Sequence, residues 1–167
     1  MIYGAGAIGS LLAGKFSQYY DVLAIGRKEH VFAIQSSGLK VTGLENNIYN
    51  FRTATSISKI DKDSIIILTT KAQDTEDAIK SLGKHIHSST RVVCIQNGAG
   101  SEEIVRTLVK SPVVRAITYI SGEMIAPGQV KLVGLQPTYF EKKDQDIALL
   151  FDKVGLETVV VSDLRPQ

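Results

Sequence analysis

The feature that most constrains this chain is a set of three glycines near its start, Gly4-Ala5-Gly6-Ala7-Ile8-Gly9. They are spaced G-x-G-x-x-G between the short apolar segment Met1-Ile2-Tyr3 and a stretch with helical apolar periodicity. In a strand, turn and helix arranged in that order, each glycine has a separate steric duty. One makes a tight turn, one lets backbone approach a phosphate, and one lets helix pack closely on strand. A pyrophosphate would then rest on the free N–H groups and positive dipole end of a helix beginning near Ala7. With 14 glycines among 167 residues the spacing also arises by chance, so the rest of the chain must supply the context.

That context is an alternation of strands and helices. Met1-Ile2-Tyr3 is shorter than a central strand of about five residues, which implies that the first strand is truncated or that residues precede it. Ile8, Leu11, Leu12 and Phe16 recur at three- and four-residue spacing and predict a helix from Ala7 to Tyr20 that packs one face on a sheet. Val22 to Ile25 reads as a second strand, and residues 29 to 37 as a helix closed by Gly38. Leu39 to Thr42 and Ile48 to Arg52 form the arms of a strand pair around a turn-rich Gly43 to Asn47. Ser64 to Thr69 and Arg91 to Ile95 are continuous apolar runs of the kind found in strands covered on both faces. The first leads to a helix capped by Asp74 or Thr75 and reaching Gly83, the second to a helix from Glu102 to Val109. Val113 to Ile120 predicts a strand, Ser121 to Gln129 a polar loop, and Val130 to Val133 with Pro137 to Phe140 an antiparallel pair. Asp146 to Val154 completes the helices, and Thr158 to Val161 the strands. The whole, residues 1–167, reads as one α/β domain of the Rossmann type, a doubly wound, mainly parallel sheet with helices on both faces.

Composition narrows the function classes. A net charge of +2, with Lys and Arg scattered among acids, gives no footprint for nucleic acid. No apolar stretch approaches the roughly 20 residues of a membrane span, and no signal peptide precedes the glycine motif, so a cytoplasmic protein is expected. The single cysteine, Cys94, sits inside Val92-Val93-Cys94-Ile95 and reads as a buried structural thiol. His85 and His87 lack a third ligand and read as a solvent-facing loop, so no metal is expected. The acids Glu102, Glu103, Asp74 and Asp77 read as helix-start charges rather than paired catalytic carboxylates. Tyr19-Tyr20 reads as packing.

Four clusters meet at the carboxyl ends of such a sheet, where open α/β folds bind ligands. The first is Gly4, Ala5, Gly6, Ala7, Ile8 and Gly9. About 20 residues on, where an Asp or Glu would accept from a ribose 2′-hydroxyl, stands Gly26-Arg27-Lys28 instead. Arg27 offers a bidentate fork and Lys28 a second cation, which favours NADP(H) over NAD(H). The third cluster, Thr69-Thr70-Lys71, ends a buried strand and can border the nicotinamide or a substrate carboxylate. The fourth, Gln96-Asn97-Gly98-Ala99-Gly100, carries in Asn97 a side chain with both donor and acceptor capacity.

These residues resemble the ketopantoate reductases (2-dehydropantoate 2-reductases). The resemblance rests on Gly4 to Ser10, Arg27, Thr70-Lys71-Ala72 with Asp74-Thr75, and Gln96 to Gly100. It continues more weakly through Thr118 to Gly122 and Pro127-Gly128-Gln129-Val130. It implies NADPH-dependent reduction of 2-dehydropantoate, a small 2-oxo acid, to pantoate in pantothenate and coenzyme A synthesis. By the same resemblance Gly4 to Gly9 hold the pyrophosphate and Arg27 the 2′-phosphate. Lys71 and Asn97 border nicotinamide and substrate, and Gly122 approaches the cofactor by backbone. A second, helical domain carrying the proton-donating lysine is implied beyond Gln167. No catalytic residue is therefore assigned within this chain, which is expected to bind cofactor and turn over poorly alone. A homodimer is compatible with the resemblance. The competing readings are a related 2-oxo acid reductase and a dinucleotide-sensing module without chemistry; Lys71 and Asn97 argue against the sensor.

Overall fold

A computed structural model describes residues 1–95 and 100–164. Its main sheet has eight strands. Strand β1 (Ile2–Tyr3) lies inside the sheet, third from one edge, parallel to β2 (Leu23–Ile25) on one side and to β6 (Ile65–Leu68) on the other. The chain leaves β1 through helix α1 (Ala7–Ser17) to β2, and through α2 (Lys28–Ser37) and a second sheet to β5 (Arg52–Ala54), which pairs parallel with β2. It then returns across β1 to β6, and outward through α3 (Thr75–Gly83), β7 (Arg91–Ile95), α4 (Ser101–Leu108) and β8 (Val113–Thr118). The reversal of winding between β1 and β6 is the topological switch point at which ligands sit in doubly wound folds. The expected Rossmann-type fold is the one observed.

The sheet alternates cleanly between two cores because successive strand residues point to opposite faces. Ile66, Leu68, Val92 and Cys94 face α3 and α4, packing with Ala78, Ile79, Leu82 and Val105. Ile2, Ala24, Ile67, Val93, Val114 and Phe140 face the other way, onto Leu12, Ile147 and Phe151.

Three expectations are corrected. The loop predicted at Ser121 to Gln129 contains strand β9 (Ser121–Ala126), mostly exposed and therefore without a strong apolar signal. It pairs antiparallel with β10 (Gln129–Gly134), which also runs parallel to β3 (Leu39–Gly43); β3 takes β4 (Asn47–Tyr49) on its far side. These four strands form a separate sheet. The antiparallel pair predicted between Val130–Val133 and Pro137–Phe140 therefore does not form. Instead β11 (Thr138–Glu141) joins the main sheet, antiparallel to β8 and parallel to β12 (Thr158–Val161), which follows α5 (Gln145–Lys153). Arg52 leaves the predicted strand pair for β5, where its guanidinium pairs with Asp21 at 2.7 Å.

The second sheet also changes the reading of α1. One apolar face was expected, but Gly9 through Gly14 and Phe16 are all buried, because α1 lies between the two sheets. A Cβ on Gly14 would come within 2.6 Å of the Tyr49 ring, so the helix needs a glycine on its second-sheet side. Tyr20 packs on Phe16 with ring centroids 6.1 Å apart, whereas Tyr19 points outward and is 57% exposed, so only half of the Tyr19-Tyr20 expectation holds.

Candidate functional site

The glycine turn leaves β1 at Gly4, whose φ of 110° is open to glycine and costly for other residues. The N–H groups of Gly4 and Ala5 both donate to the Ile25 carbonyl, at 3.1 and 2.8 Å, which fixes the turn to the end of β2. On its other flank a Cβ on Gly4 would lie 2.8 Å from the Thr70 nitrogen. Gly9 is packed harder still. Its Cβ would fall 2.2 Å from the Gly4 carbonyl oxygen and 2.6 Å from the Thr69 hydroxyl, which donates to that carbonyl at 2.7 Å. Gly6 differs from both: it is exposed, nothing stands within 4 Å of where its Cβ would be, and no side chain caps α1. The turn thus has one strained glycine, one open and one buried against backbone. An anion could approach the open face and meet first-turn N–H groups.

The strand order β6-β1-β2 sets the other clusters on either side of this turn. Arg27 follows β2 as the N-cap residue of α2, and both it and Lys28 are exposed; the Lys28 ammonium sits 5.7 Å above the Phe32 ring. Lys71 follows β6, also exposed, at the start of a short 3-10 turn over Ala72–Asp74. Asp74 occupies the N-cap position of α3, yet its side chain makes no capping bond. Asn97 lies outside the described residues. Gly122 is set apart from these clusters, in β9, where a Cβ would meet Leu11 of α1 at 2.7 Å, so close packing already calls for a glycine there.

The sequence reading missed a buried histidine. His30, on the first turn of α2, is 6% exposed. Its Nδ1 accepts the Gly128 N–H at 2.9 Å, and its Nε2 is 2.8 Å from the Ser10 hydroxyl of α1. Acceptance at Nδ1 leaves the proton of a neutral ring on Nε2, where it donates to Ser10. His30 shares the buried face of α2 with Val31 and Ile34, but that spacing alone does not mark it out from an ordinary packing position. Burial holds the ring below its ordinary pKa of 6.5. The neighbouring charges Arg27, Lys28 and Glu29 all face solvent. Because the folded state prefers the neutral ring, the unfolded chain binds more protons below pH 6.5. Stability is then fully present above that value and is lost as pH falls from it toward the lower folded pKa. Urea midpoints at pH 7.5 and pH 5 should differ by more in the native chain than in His30→Gln; equal differences would contradict the assignment.

The remaining sequence candidates have structural roles. Burial, with the Glu102 charge adding to it, pushes the Cys94 thiol up to about 12, so it stays protonated and unreactive. His87 is not a free loop residue, because its Nε2 lies 2.9 Å from the Ile60 carbonyl. Glu102 is more than a helix-start charge: its side chain is 8% exposed and pairs with Arg115 of β8 at 3.5 Å. Among the described residues no three His, Cys, Asp or Glu side chains cluster as a metal site would need, and no helix is long and apolar enough to cross a membrane.

The sequence model of the family described as ketopantoate reductase PanE/ApbA matches residues 1–145. The chain belongs to that family. Its similarity to the 2-dehydropantoate 2-reductase of Pyrococcus horikoshii is 38% identity over 171 aligned residues, covering 98% of this chain and 56% of that protein. The chain therefore spans about half the length of the curated ketopantoate reductases it matches. Its fold resembles that of a PanE/ApbA family ketopantoate reductase from Ralstonia eutropha JMP134, with a TM-score of 0.89 at 24% identity over 98% of this chain and 57% of that one. It also resembles D-mandelate dehydrogenase, solved as a ternary complex with NADH and anilino(oxo)acetate. That likeness has a TM-score of 0.86 at 26% identity, over 96% of this chain and 57% of that one. The motifs that suggested ketopantoate reductases from sequence thus fall in a chain that is a member of the family.

Proposed function

We propose that this chain is the cofactor-binding domain of an enzyme that reduces 2-dehydropantoate to pantoate with NADPH. The observation that carries the reading is the glycine turn at the switch point, with its open Gly6 flanked on the β2 side by Arg27 and Lys28, both exposed, and with no acid at that strand end. When bound, the cofactor would supply a hydride to the ketone carbon. Ala7, Ile8 and Gly9 would hold its pyrophosphate through backbone N–H groups, with Gly4 and Ala5 shaping the turn and Gly6, whose own N–H donates to the Gly4 carbonyl at 2.8 Å, leaving the approach open. Arg27 would grip the 2′-phosphate by two parallel hydrogen bonds and Lys28 would add a second positive charge. Lys71, across the turn, would stand toward the nicotinamide end with Asn97, while Gly122, set apart in β9, is left out of this reading. Proton donation to the developing alkoxide belongs, in this reading, to the helical domain that the family resemblance implies.

Arg27→Ala should weaken NADPH binding by at least about tenfold, the scale of a lost hydrogen bond to a charged group, and leave NADH binding nearly unchanged. Fluorescence titration with each cofactor measures both; an unaltered preference would remove Arg27 from the site. The reaction itself is tested by NADPH consumption in the full-length protein with ketopantoate and a panel of 2-oxo acids, where no turnover with any of them would overturn the reductase reading. The likeness to D-mandelate dehydrogenase, crystallised with NADH, favours one second reading, a sister 2-oxo acid reductase. Turnover of an aromatic 2-oxo acid in preference to ketopantoate would select it.

A further inference from the structure

His30 joins three of the segments that carry the family resemblance. Ser10, which its Nε2 meets at 2.8 Å, directly follows the third glycine of the turn. Gly128, which donates to its Nδ1 at 2.9 Å, lies in the Pro127-Gly128-Gln129 turn between β9 and β10. Arg27 caps the same helical turn that bears His30, as the bond from Val31 N–H to the Arg27 carbonyl at 2.9 Å shows. The hairpin turn is seated on α2 at a second point, since a Cβ on Gly128 would come within 2.9 Å of the Ala33 methyl. On its other side α2 is held to β5, where Gln35 donates to the Thr53 carbonyl at 3.0 Å. The helix is thus fixed against β5 at one flank, and His30 fixes it to α1 and the second sheet at the other.

We infer that His30 is a positioning residue for cofactor discrimination: it sets the separation between the first turn of α1, which faces the pyrophosphate, and the first turn of α2, which carries Arg27. The inference rests on the cofactor reading above. Its physical logic is that a bidentate arginine fork discriminates only when its distance from the pyrophosphate anchor is fixed, because misplacement forfeits the second hydrogen bond. The two helix starts belong to different βα units, and the His30 to Ser10 hydrogen bond joins them side chain to side chain. The neutral ring is suited to this, because it accepts on one edge and donates on the other at a separation that neither serine nor a carboxylate provides.

The test uses the full chain and titrates NADPH and NADH separately. His30→Asn keeps an acceptor near Gly128 but cannot reach Ser10, whereas Ser10→Ala removes only the hydroxyl and leaves α2 otherwise intact. The ratio of NADH to NADPH dissociation constants should fall by about tenfold in His30→Asn and by about threefold in Ser10→Ala, although Arg27 is still present. In an Arg27→Ala background the same changes should not move the ratio further. A merely structural histidine would weaken both cofactors alike, and an unchanged ratio in either variant, or an additive loss in the double mutants, overturns the inference. If His30→Asn does not fold, Ser10→Ala decides. A native chain that binds both cofactors equally overturns the Arg27 reading and this inference together; a native preference that survives the variants overturns this inference alone.

Discussion

Replacing Gly9 by alanine is expected to cost about 3 kcal/mol of stability and to lower dinucleotide affinity about a hundredfold, the largest paired effect of any single methyl in the site. The reason is that the added carbon would fall 2.2 Å from the Gly4 carbonyl oxygen, an atom of the backbone that cannot rotate away. The Thr69 hydroxyl, anchored to that carbonyl, adds a second clash beside the first at 2.6 Å. The first turn of α1 must then lift from the β1 and β6 ends, and its N–H groups lose their aim. Gly6→Ala supplies the contrast, since its methyl would meet nothing within 4 Å. That variant should unfold at the native urea concentration while binding cofactor more weakly, because the methyl occupies the face proposed for the pyrophosphate. Equal stability of Gly9→Ala and the native chain would show that the turn yields, and native affinity in Gly6→Ala would move the pyrophosphate elsewhere.

Those two glycines illustrate what the chain discloses before folding. The G-x-G-x-x-G spacing sets the division of labour among them because each duty follows from local geometry, and the apolar runs Ile65–Leu68 and Arg91–Ile95 announce buried strands by composition alone. Helix ends at Gly38 and starts near Ala7 and Thr75 were legible for the same local reasons. Pairing over long separations was not. β10 finds β3, about ninety residues earlier in the sequence, because together they cover α1, and nothing in Val130 to Val133 distinguishes that partner from the adjacent Pro137 to Phe140. Ser121–Ala126 escaped because an exposed strand beside a glycine has the composition of a loop.

The site divides along the same line. Arg27 and Lys71 could be singled out because a charge directly after a buried strand is conspicuous. His30 could not, since its partners Ser10 and Gly128 come from segments 20 and 98 residues away, and a lone histidine within a short helix has an unremarkable pattern. Glu102 was legible as a helix-start acid, but its burial depends on β8 bringing Arg115 across.

That buried pair carries the second large effect. Glu102→Ala should destabilise the chain by about 3–5 kcal/mol, because it strands the Arg115 guanidinium, whose side chain is 11% exposed, without its counter-charge. The loss reflects an unpaired buried charge rather than the worth of the pair, which predicts a specific asymmetry. Glu102→Met combined with Arg115→Met should recover most of the stability that either single change removes, since the cost of desolvating both ions vanishes along with their attraction. Glu102→Gln should fall between, keeping an acceptor for the guanidinium but not the charge. Urea unfolding of the native chain, the two Met single variants and their double completes the cycle. A loss below about 1 kcal/mol in Glu102→Ala would mean that water reaches Arg115 and that the pair behaves as a surface one. The consequence extends to the crevice: Glu102 sits in the first turn of α4, directly after the Gln96-Asn97-Gly98-Ala99 segment, so the pair ties the start of that helix to β8. On the proposed cofactor reading, a variant that keeps its fold but loosens this tie should therefore bind NADPH and NADH more weakly by a similar factor, which titration with each cofactor measures.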